Sequence, residues 1–160
     1  NYALVGTNNK LGRYQFDPTV LEQYGLLAPG SNAAYGTDCV NRRNCWRQTS
    51  IKSTNSYANY LYNVTNLNQF LISTAAQEHL AYQYIYDLNY QLSLINAITD
   101  QDSEDTIAGM IYVGWALGVG TNANSTTATG TGAYAWRYHN VGSGANYYNA
   151  GRYAVTVLAQ

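Results

Sequence analysis

The chain of 160 residues has few charges, because only 11% of its residues are Asp, Glu, Lys or Arg and the formal net charge is -1. Nucleic acids are bound by Lys and Arg side chains that neutralise phosphates, so this composition argues against a nucleic-acid partner. No apolar run approaches the roughly 20 residues that a transmembrane helix needs, and we expect no membrane span. The length fits one domain, residues 1–160, with a sizeable core.

Cysteine is also scarce, and both copies lie in the short segment Cys39-Val-Asn-Arg-Arg-Asn-Cys45. Two cysteines this close in a polar loop are typical of a secreted or periplasmic protein. We therefore predict a Cys39–Cys45 disulfide and a secreted, extracellular or periplasmic location. His79 and His139 lack ligand spacing to the cysteines, so we expect no metal and no cofactor. Because the chain begins at Asn1 rather than Met, we interpret it as a processed form or a fragment.

Tyrosine, by contrast, is abundant, with 17 copies against two Phe and three Trp. Together with many Asn, Thr, Ser and Gly residues, it predicts a polar but weakly charged surface. A tyrosine ring is a flat apolar face with a hydroxyl at its tip, which suits contact with carbohydrate or with other protein. Some of the 17 rings are expected in the core.

The apolar spacing predicts a mainly α domain with long polar loops and at most a short β element near Tyr14 to Phe16. Asp17-Pro18 is typical of a helix start. The predicted helices cover residues 19–27, 65–99 with a possible break near Ser73-Thr74, 103–120 and 144–160, and the predicted loops cover 28–56 and 121–132. Three glycines of the third helix, Gly109, Gly114 and Gly118, are expected to allow close packing.

One face of the long helical segment is apolar. Five residues fall within about 40° of one direction and are predicted to face the core; they are Ala81, Ile85, Leu88, Leu92 and Ile95. Tyr82, Tyr86 and Tyr90 point away from that face. We expect these tyrosines to pack on another part of the chain, on a partner subunit or on a glycan.

The segment "LGRYQFDPT", residues 11–19, places Gly12 and Gln15 in a tight turn ahead of a helix. Glycine permits a close backbone approach, and the Gln15 amide can both donate and accept hydrogen bonds. The turn could hold a polyhydroxylated ligand such as a sugar chain, or the amide could bridge two backbone segments.

Residues 12–18 resemble the glycine-to-glutamine motif of lysozyme-like lytic transglycosylases and related phage peptidoglycan hydrolases, whose turn lines a glycan groove. Tyr148-Asn149-Ala150-Gly151 is similar to the segment that closes that groove. Residues 70–85, "FLISTAAQEHLAYQYI", are similar to a helix that carries a Gln-Glu pair in the phage-type members. The resemblance implies a lysozyme-like helical domain and a groove with five candidate residues, Gly12, Tyr14, Gln15, Tyr148 and Asn149.

The sequence departs from this family at the catalytic acid. The family's Glu ends a helix shortly before the turn, whereas residues 1–11 contain no acid. Glycoside cleavage needs a carboxylic acid to protonate the leaving oxygen. Glu78 is a weak substitute, and its simpler interpretation is a solvated helix face. We therefore expect no catalytic residue in this chain.

The favoured hypothesis is a non-catalytic, self-assembling structural component, a filament or another homo-oligomer, with Tyr82, Tyr86 and Tyr90 at the contacts. An active cell-wall enzyme would more often have a positive face for its anionic polymer. Two alternatives stay open. One is a peptidoglycan lytic enzyme whose catalytic Glu lies upstream of residue 1, and the other is a glycan-binding module that retains the groove.

Overall fold

The computed structural model describes residues 1–48, 64–120 and 132–158, with side chains as far as Tyr153. The described part contains seven α-helices: α1 Pro18–Gln23, α2 Ser31–Tyr35, α3 Leu67–Ile72, α4 Thr74–Leu94, α5 Glu104–Leu117, α6 Ala133–His139 and α7 Gly144–Leu158. Within the same ranges, β structure is limited to three isolated bridges, Val5–Leu11, Leu11–Phe16 and Leu27–Trp46. The predicted mainly α class with at most a short β element is confirmed.

The chain forms two compact units, Asn1–Gln83 and Tyr84–Gln160, which are described one after the other. Helix α4 begins in the first unit and ends in the second. Residues 49–56 of one predicted loop and 121–131 of the other lie outside the described residues.

Aromatic side chains form the centre of the first unit. Phe70 of α3 packs against Phe16 and Trp46, with ring centroids 6.2 and 6.1 Å apart, and all three side chains are buried. Because aromatic contacts bury large areas, these rings join the N-terminal turn, the middle segment and α3 into one core.

Helix α1 starts as predicted but is shorter. The Asp17 carboxylate accepts a hydrogen bond from the Thr19 backbone N–H at 3.0 Å, and Pro18 is the first helical residue. The helix ends at Gln23 because Gly25 adopts a left-handed conformation with φ of 82°. Leu26 then bonds back to the Leu21 carbonyl at 2.9 Å, which is a common way of closing a helix C-terminus.

The loop predicted from residue 28 onward contains a short helix, α2, and two 3-10 turns, Gly36–Asn41 and Arg43–Cys45. The Ser31 hydroxyl donates to the Ala28 carbonyl at 2.6 Å where α2 begins. A five-residue helix is too short to show apolar periodicity, so the sequence pattern missed it.

The predicted Cys39–Cys45 disulfide is wrong. Both cysteines are free and buried. They lie on consecutive 3-10 turns, and the Cys39 thiol donates to Asn32 Oδ1 of α2 at 3.1 Å instead of bonding to the other sulfur. Burial raises the pKa of the Cys39 thiol to about 11. The cysteines therefore give no support to an oxidising compartment.

The predicted break between α3 and α4 is confirmed at Ser73, whose hydroxyl accepts from the Ala76 N–H at 3.2 Å. On α4, the predicted core residues Ala81, Leu88 and Leu92 are buried. The prediction that Ile85 faces the core is wrong, since 42% of its surface is exposed. It lies at the edge of the predicted arc, beyond the part that the core covers.

Ile95 lies one residue past the end of α4 and is partly buried against the core of the second unit. That core contains Leu92, Ala97, Ile98, Met110, Val113 and Ala133. Helix α6 was not predicted, and Arg137 fixes it by a two-point ion pair with Asp102 at 2.6 Å.

Close packing of α5 on α7 dominates the second unit. Helix α5 begins at Glu104, close to the predicted start at residue 103, and Ser103 is its N-cap. Gly109 faces the ring and backbone of Tyr148 so closely that a Cβ would collide, which confirms its predicted packing role. A Cβ on Gly114 would meet Leu88 and Leu92 at ordinary distances, so close packing does not require glycine at that position. Gly118 instead terminates α5 with φ of 83°.

We expect Gly109→Ala to destabilise the protein by about 1–3 kcal/mol, the usual cost of overpacking. An added Cβ would lie 2.9 Å from the Tyr148 backbone oxygen, which cannot move by changing rotamer. Gly114→Ala in the same helix is the control, because its Cβ would meet Leu88 at an ordinary 3.5 Å and would add up to about 1 kcal/mol of helix propensity. Urea unfolding measures both. Equal effects of the two substitutions would contradict the packing difference.

Candidate functional site

The turn at residues 12–15 is closed by two reciprocal backbone bonds between Leu11 and Phe16, at 3.0 and 2.9 Å. Gly12 and Gln15 both have positive φ, 79° and 51°. Gly12 is buried, and a Cβ at this position would collide with the Gln77 amide. The close approach predicted for Gly12 is therefore made to Gln77 of α4.

Gln77 is fully buried and uses its whole amide. Its Nε2 group donates to the carbonyl oxygens of Tyr2 and Phe70, at 3.0 and 2.9 Å. Its Oε1 atom accepts from the Arg13 backbone N–H at 3.0 Å. One side chain thus joins the N-terminal segment, the turn and the end of α3, a linkage between distant residues that the sequence pattern did not reveal.

The Gln15 amide bridges backbone, the second of the two roles considered for it. Its Nε2 donates to the Gly12 carbonyl at 2.9 Å and approaches the Leu4 carbonyl at 3.5 Å. Its Oε1 atom lies so close to Gly6 that a Cβ there would collide with it. These contacts give Gln15 a structural role, and its glycan-groove role stays a prediction.

Glu78 follows Gln77 and is the centre of a charged cluster, which we call the Glu78 cluster: Tyr2, Arg13, Tyr14 and Glu78. The Tyr2 and Tyr14 hydroxyls donate to Glu78 Oε1 and Oε2 at 2.5 and 2.7 Å. The Arg13 guanidinium lies 3.3 Å from Oε1 and close to both tyrosine rings. The structure thus brings together Tyr14 and Glu78, which were predicted separately, and Glu78 is more than a solvated helix residue.

The pKa of Glu78 is shifted in the direction opposite to that of a glycosidase acid. The hydrogen bonds from Tyr2 and Tyr14 hold the pKa of Glu78 below its usual range, whereas a catalytic acid needs a raised pKa. Burial and the bond to Glu78 raise the pKa of Tyr14 to about 12. At neutral pH the cluster therefore presents the Glu78 carboxylate, the Arg13 guanidinium and the protonated Tyr14 phenol. About half of the Arg13 and Glu78 side chains is exposed, so a ligand could reach them.

The other two groove candidates lie in the second unit, on α7. The Tyr148 ring packs beside Trp136, with centroids 4.9 Å apart, and against Gly109. Gly151, which ends the same short segment, packs on the Ala108 backbone. Asn149 is exposed. Packing between α5 and α7 explains Tyr148 and Gly151, and the groove role of Tyr148 and Asn149 stays a prediction.

Comparison of the chain with models of protein families, with curated proteins and with solved structures found no match. Over residues 1–48, 64–120 and 132–158, no helix has the length and apolar character required to cross a membrane. Within these ranges, no three His, Cys, Asp or Glu side chains are grouped as a metal site would need.

We expect Gln77→Met to destabilise the protein by about 2–4 kcal/mol, because it removes the partners of three backbone groups while keeping the side-chain volume. Gln91→Met is the matched control, since Gln91 is exposed on the same helix and its replacement should change stability by no more than about 0.5 kcal/mol. Urea unfolding followed by circular dichroism gives both values. Similar stability of the two variants would show that the Gln77 linkage is unimportant.

Proposed function

We propose that the chain is a non-catalytic, lysozyme-like protein of an extracytoplasmic compartment that assembles with copies of itself into a filament or another multi-subunit structure. The observation that carries this proposal is an exposed and uncharged surface on α4. We call it the α4 face, and it consists of Ile85, Tyr86, Asn89, Tyr90, Ser93 and Leu94. Tyr82, one turn earlier, is also exposed.

The residues of the α4 face recur at helical spacing and line one side of the helix. Tyr86, Tyr90 and Leu94 are 60%, 56% and 57% exposed. Leu88 and Leu92, on roughly the opposite side, are buried in the second unit. Large side chains of this kind are costly to leave in water over a contiguous area, which supports a contact at this surface.

A second copy of the chain is the occupant that the charges favour. The exposed residues of the α4 face carry no charge, and Asp87, which is only partly exposed, is the one charged side chain among residues 85–94. The face therefore has little charge with which to attract a nucleic acid or a strongly charged protein. Copies with a net charge of -1 repel one another only weakly when they stack. Tyrosine rings with free hydroxyl tips can pack face to face and still find hydrogen-bond partners.

The size of the α4 face favours repeated contacts over an isolated dimer. Its exposed aromatic and aliphatic side chains offer on the order of 500 Å² per copy, below the roughly 800 Å² per partner of a standard stable interface. A single pairing would therefore be weak. Many such contacts in one assembly reinforce one another, because each copy that is already held has a high effective concentration for the next contact.

The Glu78 cluster supports the proposal that the chain is non-catalytic, because its carboxylate is stabilised in the ionised form.

The same cluster favours a second candidate function, a glycan-binding module. A half-exposed carboxylate, a guanidinium and two tyrosine hydroxyls are suitable partners for sugar hydroxyls. The lysozyme-like assignment itself rests on the three segments that resemble that family.

Replacing Tyr86 and Tyr90 together by Ser should weaken self-association while leaving the helical circular-dichroism signal intact, since both rings are exposed. Sedimentation velocity over a range of concentrations measures the association. Tyr153→Ser is the control, because it removes an exposed tyrosine from α7. A wild-type protein that sediments as a monomer at high concentration would contradict the assembly proposal and favour the glycan-binding module.

For the glycan-binding module, we expect Arg13→Ala to weaken binding of soluble chitooligosaccharides by about tenfold, as the loss of one charge-assisted hydrogen bond would. Titration followed by NMR measures this affinity, and Arg42→Ala removes a charge outside the Glu78 cluster as the control.

Purified protein should not clear cell-wall sacculi. If the wild-type protein clears sacculi and Glu78→Gln does not, Glu78 is catalytic. If both proteins clear sacculi, another acid is responsible.

A further inference from the structure

We infer that the first unit contains a binding site for a carboxylate-bearing sugar, in a cleft between the 3-10 turn Arg43–Cys45 and the start of α3. The cleft has a volume of about 510 Å³, within the range of about 300–1,000 Å³ that small-molecule sites occupy. The α4 face proposed for assembly does not contribute to it, so the two proposals stand or fall separately.

The charge of the cleft comes from Arg43. No acidic residue is among the described residues that line it. Arg43 forms no ion pair within the described ranges, whereas its neighbour Arg42 pairs with Asp38 at 3.0 Å and lies 4.3 Å from the centre of the Tyr35 ring. A guanidinium with open donors beside a cleft favours a carboxylate, which it can bind through two parallel hydrogen bonds.

The remaining polar groups suit hydroxyls. Five lining side chains carry an amide or hydroxyl group: Asn41, Gln48, Thr65, Asn66 and Asn68. Amides can donate to and accept from the same sugar, which matches the mixed character of a hydroxyl group. Leu67, which is partly exposed, adds apolar surface to the lining, against which the C–H face of a sugar ring can pack.

Existing hydrogen bonds fix the walls of the cleft. Gln48 Nε2 lies 3.0 Å from the Arg43 carbonyl, 2.9 Å from that of Trp46 and 3.1 Å from that of Thr65. The Trp46 indole N–H donates to the Val40 carbonyl at 2.8 Å. Because these groups are already bonded, a ligand would meet a preformed site with little ordering cost.

Of the five polar side chains, Gln48 is engaged by backbone carbonyls, and Thr65 and Asn66 are hydrogen-bonded to Gln69 at 2.9 and 2.8 Å. Asn41 and Asn68 are the two best placed for recognition. The Asn68 side chain is exposed and lines the same cleft as Arg43. The Asn41 Nδ2 group donates to Asp38 at 3.3 Å, which leaves the Asn41 amide oxygen as an acceptor. Arg43 would hold the carboxylate and these amides the ring hydroxyls.

The test is titration of the full chain with D-glucuronate, followed by two-dimensional NMR. We expect shifts at Arg43, Asn68 and the Trp46 indole N–H, with glucose and acetate each binding about tenfold more weakly, because each lacks one of the two recognised groups. Arg43→Ala should weaken glucuronate binding by a similar factor. Arg42→Ala is the matched control and should change it less than about twofold.

Four results would overturn the inference. They are the absence of glucuronate shifts in the cleft, equal binding of glucose, equal binding of acetate, and equal losses in Arg42→Ala and Arg43→Ala. Because both arginines are exposed, the variants should fold, and their circular-dichroism spectra confirm it before titration. Asn68→Ala gives a second, charge-neutral measure, with weaker glucuronate binding expected and unchanged binding opposing the site.

Discussion

The buried amide of Gln77 is the interaction on which the first unit depends. Its hydrogen bonds join the Tyr2 carbonyl, the Phe70 carbonyl and the Arg13 N–H, which belong to three different segments of the chain. Since a buried amide is costly unless its hydrogen bonds are complete, the three segments are held in one arrangement. That arrangement also places the Tyr2 and Arg13 side chains against Glu78.

Most residues that looked functional turn out to have structural partners. Gly12 receives Gln77, Gln15 bridges backbone, and Tyr148 packs on Gly109. A side chain whose polar groups are already bonded has little left for a ligand. The two sites that we propose have the opposite property, namely exposed rings on the α4 face and, at Arg43, a guanidinium without an ion pair in the described ranges.

The sequence predicted best what short-range chemistry decides. The helix start at Asp17, the helix start near Ser103 and the break at Ser73 depend on one side chain and the backbone next to it, and each of the three positions was predicted correctly. Helices α2 and α6 are too short for periodicity. The Gln77 linkage joins residues up to 75 positions apart, and the state of the cysteines depends on Asn32 of a helix that was missed. No local pattern contains such contacts.

The buried cysteines have a practical consequence for spectroscopy. Labelling requires the thiolate, which is the nucleophile that attacks a thiol-reactive probe. The pKa of Cys39 near 11 leaves very little thiolate at neutral pH, while Cys45 is only 2% exposed. A new cysteine introduced at an exposed position can therefore take up a spin label or fluorophore selectively, without first removing the native pair. Distances between labelled copies could then be measured in an otherwise unaltered chain.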